Sequence, residues 1–171
     1  LPAGETKMDF VKIWKDNYKN IKPIPAKFVK QSPLFDNVYK DGDIDMFQFP
    51  TPFWHDKDGG RYIGTGSVDI TRDPDEGWVN YGTYRVMIHD KNKVGFYISP
   101  GKHGRMQRDK YAANGKPFKM AMSFGHDPLT FLAGSIEVPY GVPEYEFIGG
   151  IRGEPFEMIE GEYSGLPIPA N

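Results

Sequence analysis

The sequence predicts a mainly β protein, an antiparallel barrel or closed sheet carrying a few short helices. Three observations predict it. Gly (20) and Pro (15) are abundant among 171 residues and aromatics reach 15%, a composition that suits short strands joined by many turns. Period-2 alternation recurs, most cleanly in FKMAMSF (118–124), which sets Phe118, Met120, Met122 and Phe124 on one face. Turn signals such as Asp58-Gly59-Gly60 and Asn114-Gly115 separate the strand-like runs. A chain of this length holds one ordinary core.

The elements follow in order. MDFVKIWKDNYK (8–19) places Phe10, Ile13 and Trp14 at helical spacing, with Asp9 supporting the helix N-terminus. Pro23, Pro25 and Pro33 exclude a helix from 20–34 and predict an extended connector. Strands then alternate with turns through DIDMFQF (43–49), residues 50–71, WVNYGTYRVMIH (78–89) and VGFYIS (94–99). Short helices are predicted over 104–114 and over 128–134, the second with Asp127 as N-cap and Pro128 at its first position. From Glu144 a helical turn mixes with strands around FEMIE (156–160).

The run 78–89 raises a question, because Asn80 and Arg85 stand five positions apart. On a regular strand they face opposite sides, and they share a pocket only if the strand kinks between them. Gly82 lies in the gap, where a β-bulge would fit.

A net charge of -2, from 21 basic and 23 acidic residues, gives no field that would collect nucleic acid or an anionic membrane. Without cysteine there is no disulfide framework, thiolate metal site or thiol nucleophile. No signal peptide and no apolar run of about 18 residues is seen, so a soluble, cytoplasmic protein is the default expectation. The chain opens LPAGETKM and stops at SGLPIPAN, which reads as a piece of something longer.

Asn80, His103 and Glu144 form an N/O donor set suited by hardness to Mn²⁺ or Mg²⁺. Their spacing matches no local ligand motif, so solvated or capping roles stay open. Gly101-Lys102-His103-Gly104-Arg105 precedes a helix and reads either as a phosphate-facing N-terminus or as an exposed basic turn. Arg85 reads as the partner of a carboxylate or as an exposed strand residue. His55, His89 and His126 have no partner in a catalytic pattern, and no G-x-S-x-G or H-E-x-x-H motif supports a hydrolase.

The run FPTPFWHDKDGGRYIGTGSVDITRDPDEGWVNYGTYRVMIHD, followed by ISPGKHG, MAMSFGHDP, AGSIEVPYGVPEYEFIGGIRGEP and LPIPAN, resembles in order and spacing the cofactor-binding region of the UbiD family. These are reversible decarboxylases that use prenylated FMN, and the resemblance covers about residues 40–171. It implies an antiparallel split β-barrel of the flavin reductase-like, FMN-binding type over 41–171, cut short at its C-terminal end. Residues 1–40 then remain from an N-terminal domain. By the same resemblance Asn80, His103 and Glu144 ligate the divalent metal that bridges to the cofactor phosphate. Arg85 is the catalytic arginine facing the reactive ring, on the same strand as Asn80. Gly82, Thr83, Tyr84, Lys102, Ser135 and Ile136 line the flavin or its phosphate tail, with 82–84 acting through backbone.

The implied cofactors are prenylated FMN, Mn²⁺ or Mg²⁺ and, as a further option, K⁺. The implied activity is decarboxylation, or its reverse, of an aromatic or α,β-unsaturated carboxylic acid through an adduct with the prenylated flavin. Lys102 and Glu137 depart from the family pattern, where glutamine and proline occur. The family's two catalytic glutamates and its oligomerising C-terminal domain lie beyond the Pro-Ala segment, so the chain alone is expected to be inactive, and the full-length protein a homo-oligomer. Two rival expectations are an ordinary FMN-binding reductase-like domain and a non-catalytic subunit of a multi-component carboxylase.

Overall fold

The computed structural model describes residues 6–171; residues 1–5 of the expected N-terminal segment lie outside the described residues. The helices are α1 (Lys7–Asn20), α2 (His103–Ala113), α3 (Pro128–Ser135) and α4 (Glu144–Arg152). The strands are β1 (Lys27–Phe28), β2 (Arg61–Gly64), β3 (Val68–Arg72), β4 (Val79–Gly82), β5 (Arg85–Asp90), β6 (Lys93–Tyr97), β7 (Ala121–Ser123), β8 (Glu157–Glu160) and β9 (Pro167–Pro169).

Local sequence accounts for the helices. Thr6 and Asp9 close a capping box at α1, satisfying two N–H groups the first turn leaves open. Asp127 accepts from the N–H groups of Leu129 (2.8 Å) and Thr130 (3.2 Å), and Pro128 opens α3. In α4 the acids Glu144 and Glu146 stand in the first turn and Arg152 in the last, the order the helix dipole favours.

The strands form three sheets of three, ordered β1-β8-β9, β2-β5-β6 and β4-β3-β7. All pairings are antiparallel except β1 with β8. Sheet structure therefore organises the molecule, and no closed barrel forms among the described residues. One core joins two of the sheets: Val68 and Ile70 of β3, Val79 and Tyr81 of β4 and Met158 of β8 pack with Ala133, Ile148, Phe156 and Leu166. Each large side chain buried in this way contributes about 1.5–3 kcal/mol. α1 buries none of its residues and meets the body through Tyr18, whose ring lies edge-on to Phe147 at 5.4 Å and whose hydroxyl donates to the Glu137 carbonyl at 3.0 Å.

Three sequence expectations change. Residues 43–49 form no strand; two 3-10 turns, Asp41–Asp43 and Met46–Gln48, take their place. The Asp45 carboxylate accepts the Phe47 N–H at 2.9 Å, a local bond that competes with a sheet ladder. Of 118–124 only Ala121–Ser123 pairs, with β3, and Phe124 at the end of the alternating face is exposed. The run 78–89 is two strands: β4 pairs with β3, and β5 with β2 and β6. Register shifts fall at Tyr62/Gly64 and Ile88/Asp90, with none at Gly82.

Candidate functional site

The strand break builds the site. From β3 the buried Asp69 reaches past the end of β4, where its Oδ2 accepts the Tyr84 N–H (2.8 Å) and the Ser67 hydroxyl (3.3 Å). Because Tyr84's N–H goes to a side chain, the ladder stops at Gly82 and restarts at Arg85 in another sheet. Asn80 and Arg85 are therefore on different strands, and no kinked single strand is needed to turn both toward a ligand.

Nine of the ten predicted site residues gather around one cavity of about 280 Å³: Asn80, Gly82, Thr83, Tyr84, Lys102, His103, Ser135, Ile136 and Glu144. They come from the β4 end, the α2 N-terminus, the α3 C-terminus and the α4 N-terminus. The tenth, Arg85, lies outside this cavity. It lines a neighbouring one of about 480 Å³ that shares Thr83, Tyr84 and Lys102, and its guanidinium sits 5.8 Å from the centre of the Tyr62 ring.

Each candidate ligand is held in place. Asn80, 2% exposed, gives its Nδ2 to Thr71 Oγ1 and to the Tyr84 hydroxyl, each at 3.1 Å. That leaves its carbonyl oxygen as the atom available to a ligand. Glu144 is equally buried and its Oε2 accepts the Tyr81 N–H at 2.7 Å. Burial pushes its carboxyl up to about 8, partly offset by backbone N–H donors; a neighbouring cation would supply the charge the site lacks. His103 opens α2 between the rings of Trp78 (5.2 Å) and Tyr140 (5.6 Å), both edge-on. Burial lowers its pKa below 6.5, with Glu137 opposing and Lys102 assisting, so the imidazole is neutral at pH 7 and can act as a nitrogen donor.

The rim is polar and exposed. Lys102 Nζ lies 3.7 Å from Glu137 Oε1, both largely exposed, so the two departures from the family pattern face each other across the mouth. The Ser135 hydroxyl is spent on the Phe131 carbonyl at 2.7 Å, and the Ile136 N–H on Leu132. The Tyr84 backbone N–H goes to Asp69, while its phenol meets Asn80 and α2. Sequence reading missed Asp69, Thr71, Trp78 and Tyr140, all of which orient the site residues. β3 gave no warning, because Val68 to Thr71 are all buried and show no alternation.

Among the described residues no three His, Cys, Asp or Glu side chains cluster as a metal site; the candidate trio contains only two such residues and an amide. One nitrogen and two oxygen donors of fixed orientation, one a buried carboxylate short of positive charge, nevertheless suit a hard divalent cation. The N-cap Lys102 makes no side-chain cap bond, and with the Gly104 N–H on the Tyr84 hydroxyl and the Arg105 N–H on the Lys102 carbonyl, the His103 N–H is the first-turn donor left to face an anion.

Residues 27–171 match the family model described as UbiD, 3-octaprenyl-4-hydroxybenzoate carboxy-lyase Rift-related domain. The chain belongs to the UbiD family. Among UbiD relatives, the pyrrole-2-carboxylic acid decarboxylase of Pseudomonas aeruginosa is 33% identical over 149 residues, covering 87% of this chain and 30% of that protein. The closed form of the Sedimentibacter hydroxybenzoicus vanillic acid decarboxylase superimposes with a TM-score of 0.89 at 30% identity, covering 100% of this chain and 37% of that one. The dimeric evolved UbiD-class enzyme HmfF of Pelotomaculum thermopropionicum, solved with prFMN, gives 0.81 at 27% identity over 91% of this chain and 37% of its own. The chain thus spans about a third of the length of such UbiD proteins. Among the described residues no helix is long and apolar enough to cross a membrane.

Proposed function

We propose that this chain builds the phosphate and metal end of a prenylated-FMN site in a UbiD carboxy-lyase acting on an aromatic or α,β-unsaturated carboxylic acid. The observation that carries the reading is the gathering of nine motif-assigned residues around one cavity, with Arg85 on the adjoining one. Relatives named as decarboxylases of pyrrole-2-carboxylic and vanillic acid support the substrate class. The three sheets belong, in this reading, to an antiparallel split barrel.

Asn80 through its carbonyl oxygen, His103 and Glu144 would hold Mn²⁺ or Mg²⁺, whose charge offsets the cofactor phosphate. Lys102 and the first turn of α2 add positive potential at the same end. Prenylated FMN, when bound, supplies the electron sink for loss of carbon dioxide. At the other end Arg85 offers a planar fork that binds a substrate carboxylate by two parallel hydrogen bonds and fixes the bond to be broken. No side chain of this segment is assigned as proton donor, and turnover in the assembled homo-oligomer draws on residues outside it.

Anaerobic absorbance titration with prenylated FMN tests the reading. Binding that requires Mn²⁺ and is lost in His103→Ala is the expected result. Binding that is indifferent to both the metal and the substitution refutes it.

A further inference from the structure

The cavity wall contains one oxygen that touches the supports of two candidate ligands at once. The Tyr84 hydroxyl accepts a hydrogen bond from Asn80 Nδ2 at 3.1 Å and another from the Gly104 N–H at 3.1 Å. Asn80 stands on β4, and Gly104 directly follows His103 at the start of α2. The phenol is thus a strut between the strand that carries one donor and the helix that carries another.

The surroundings make room for that strut and for little else. A Cβ on Gly82 or on Gly104 would collide with the Tyr84 phenol from either side, so both neighbours must lack a side chain for the ring to reach its place. At its other end the residue is fixed by the Asp69 carboxylate on its backbone N–H, at 2.8 Å. Tyr84 is 9% exposed, so neither donor has water as a ready substitute. The Gly104 N–H is one of the first-turn donors a helix cannot satisfy by itself. Among the described residues Asn80 Nδ2 has Thr71 as its other partner.

The Asn80 side chain is held at its amide end by two hydroxyls, those of Thr71 and Tyr84. Resting on the metal-site reading above, we infer that Tyr84 is a positioning residue whose hydroxyl holds the Asn80 side chain in place beside the metal position and ties that strand to the His103 helix. Tyr84 does not touch the metal; it acts through Asn80.

Tyr84→Phe keeps the ring between the two glycines and removes only the oxygen. Two readouts on the 171-residue chain decide the matter: Mn²⁺ affinity of the FMN-loaded chain by electron paramagnetic resonance, and solvent exchange of the Asn80 side-chain amide by NMR without metal. Tyr84→Phe should raise the Mn²⁺ dissociation constant about 10–100-fold, the usual cost of losing a group that orients a metal ligand. It should also speed Asn80 amide exchange at least about tenfold. An unchanged dissociation constant, or a weakened one with unchanged exchange, overturns the inference.

Should the variant fail to fold, the unmodified chain still decides: a side-chain amide at Asn80 exchanging as fast as that of the exposed Asn17 overturns the inference. His103→Ala separates the two levels of the argument, since it should abolish Mn²⁺ binding while leaving the Asn80 amide protected. Absence of Mn²⁺ binding in the unmodified chain, with Asn80 protected, sinks the metal reading and with it the role of Tyr84, while a protected amide and a tenfold loss on Tyr84→Phe upholds both.

Discussion

Replacing Asp69 by asparagine should flatten one part of the pH dependence of stability. Asp69 is fully buried, accepts from the Tyr84 N–H and the Ser67 hydroxyl through Oδ2, and has no partner for Oδ1 among the described residues. Burial pushes its carboxyl from 3.8 up to about 7, against the opposing pull of those two donors. A carboxyl raised in the folded state binds more protons there than in the unfolded chain. Its contribution is therefore full below pH 3.8 and lost as pH rises toward 7. The gap between those values, at about 1.4 kcal/mol per pH unit, sets an upper bound of about 4 kcal/mol. His103 and His126, lowered by burial, work in the opposite sense, gaining stability as pH rises through 6.5. Glu144 is common to both proteins and cancels in the comparison. Urea unfolding of the unmodified chain and Asp69→Asn at pH 5 and pH 8 isolates the effect. The variant should gain on the unmodified chain by about 1–4 kcal/mol between the two values, because its amide oxygen still accepts the Tyr84 N–H and carries no charge. Parallel curves would refute the assignment of a buried carboxyl with a raised pKa at this corner.

Gly104→Ala drives a methyl group into the Tyr84 phenol and should cost about 1–3 kcal/mol by urea unfolding, as overpacking does, and weaken Mn²⁺ binding with it. Asp73 is held below the usual carboxylate range by Lys110 at 2.7 Å and by the N–H groups of Asp75 and Glu76 at 2.9 Å, which outweigh its burial. Its contribution is therefore present above pH 3.8 and lost on acidification, and Asp73→Asn should lower stability most at pH 7 and reduce the acid sensitivity of the thermal midpoint. Glu137→Gln removes an exposed pair at the cavity mouth, and calorimetry should register less than about 1 kcal/mol of stability change. The chain alone, loaded with prenylated FMN and Mn²⁺, should release no carbon dioxide from cinnamic or pyrrole-2-carboxylic acid, because decarboxylation needs a positioned proton donor that this segment is not assigned; sustained turnover in a headspace assay contradicts that.

What was legible in the sequence was chemistry with a local signature. Asp127-Pro128 announced α3, Asp9 announced the start of α1, and the separated UbiD motifs named ten residues of which nine meet at one cavity. Residues whose role depends on distant partners were opaque. The break at Thr83-Tyr84 is imposed by Asp69, 15 positions earlier, and nothing within WVNYGTYRVMIH signals it. Residues 43–49 carry the apolar side chains of a strand, yet the Asp45 carboxylate takes the Phe47 N–H instead. The orientation of His103 comes from Trp78 and Tyr140, whose convergence follows only from the packing of α2 and the α3–α4 loop beside β4.

The central claim is that Asn80, His103 and Glu144 hold one metal at the phosphate end of a flavin. Anomalous diffraction at the manganese edge, from crystals of the chain grown with prenylated FMN and Mn²⁺, addresses it directly. A single peak is expected in the cavity beneath the phosphate, about 2.0–2.6 Å from the Asn80 carbonyl oxygen, the His103 imidazole and the Glu144 carboxylate. A manganese peak away from these three side chains, or a flavin seated in another cavity, contradicts it.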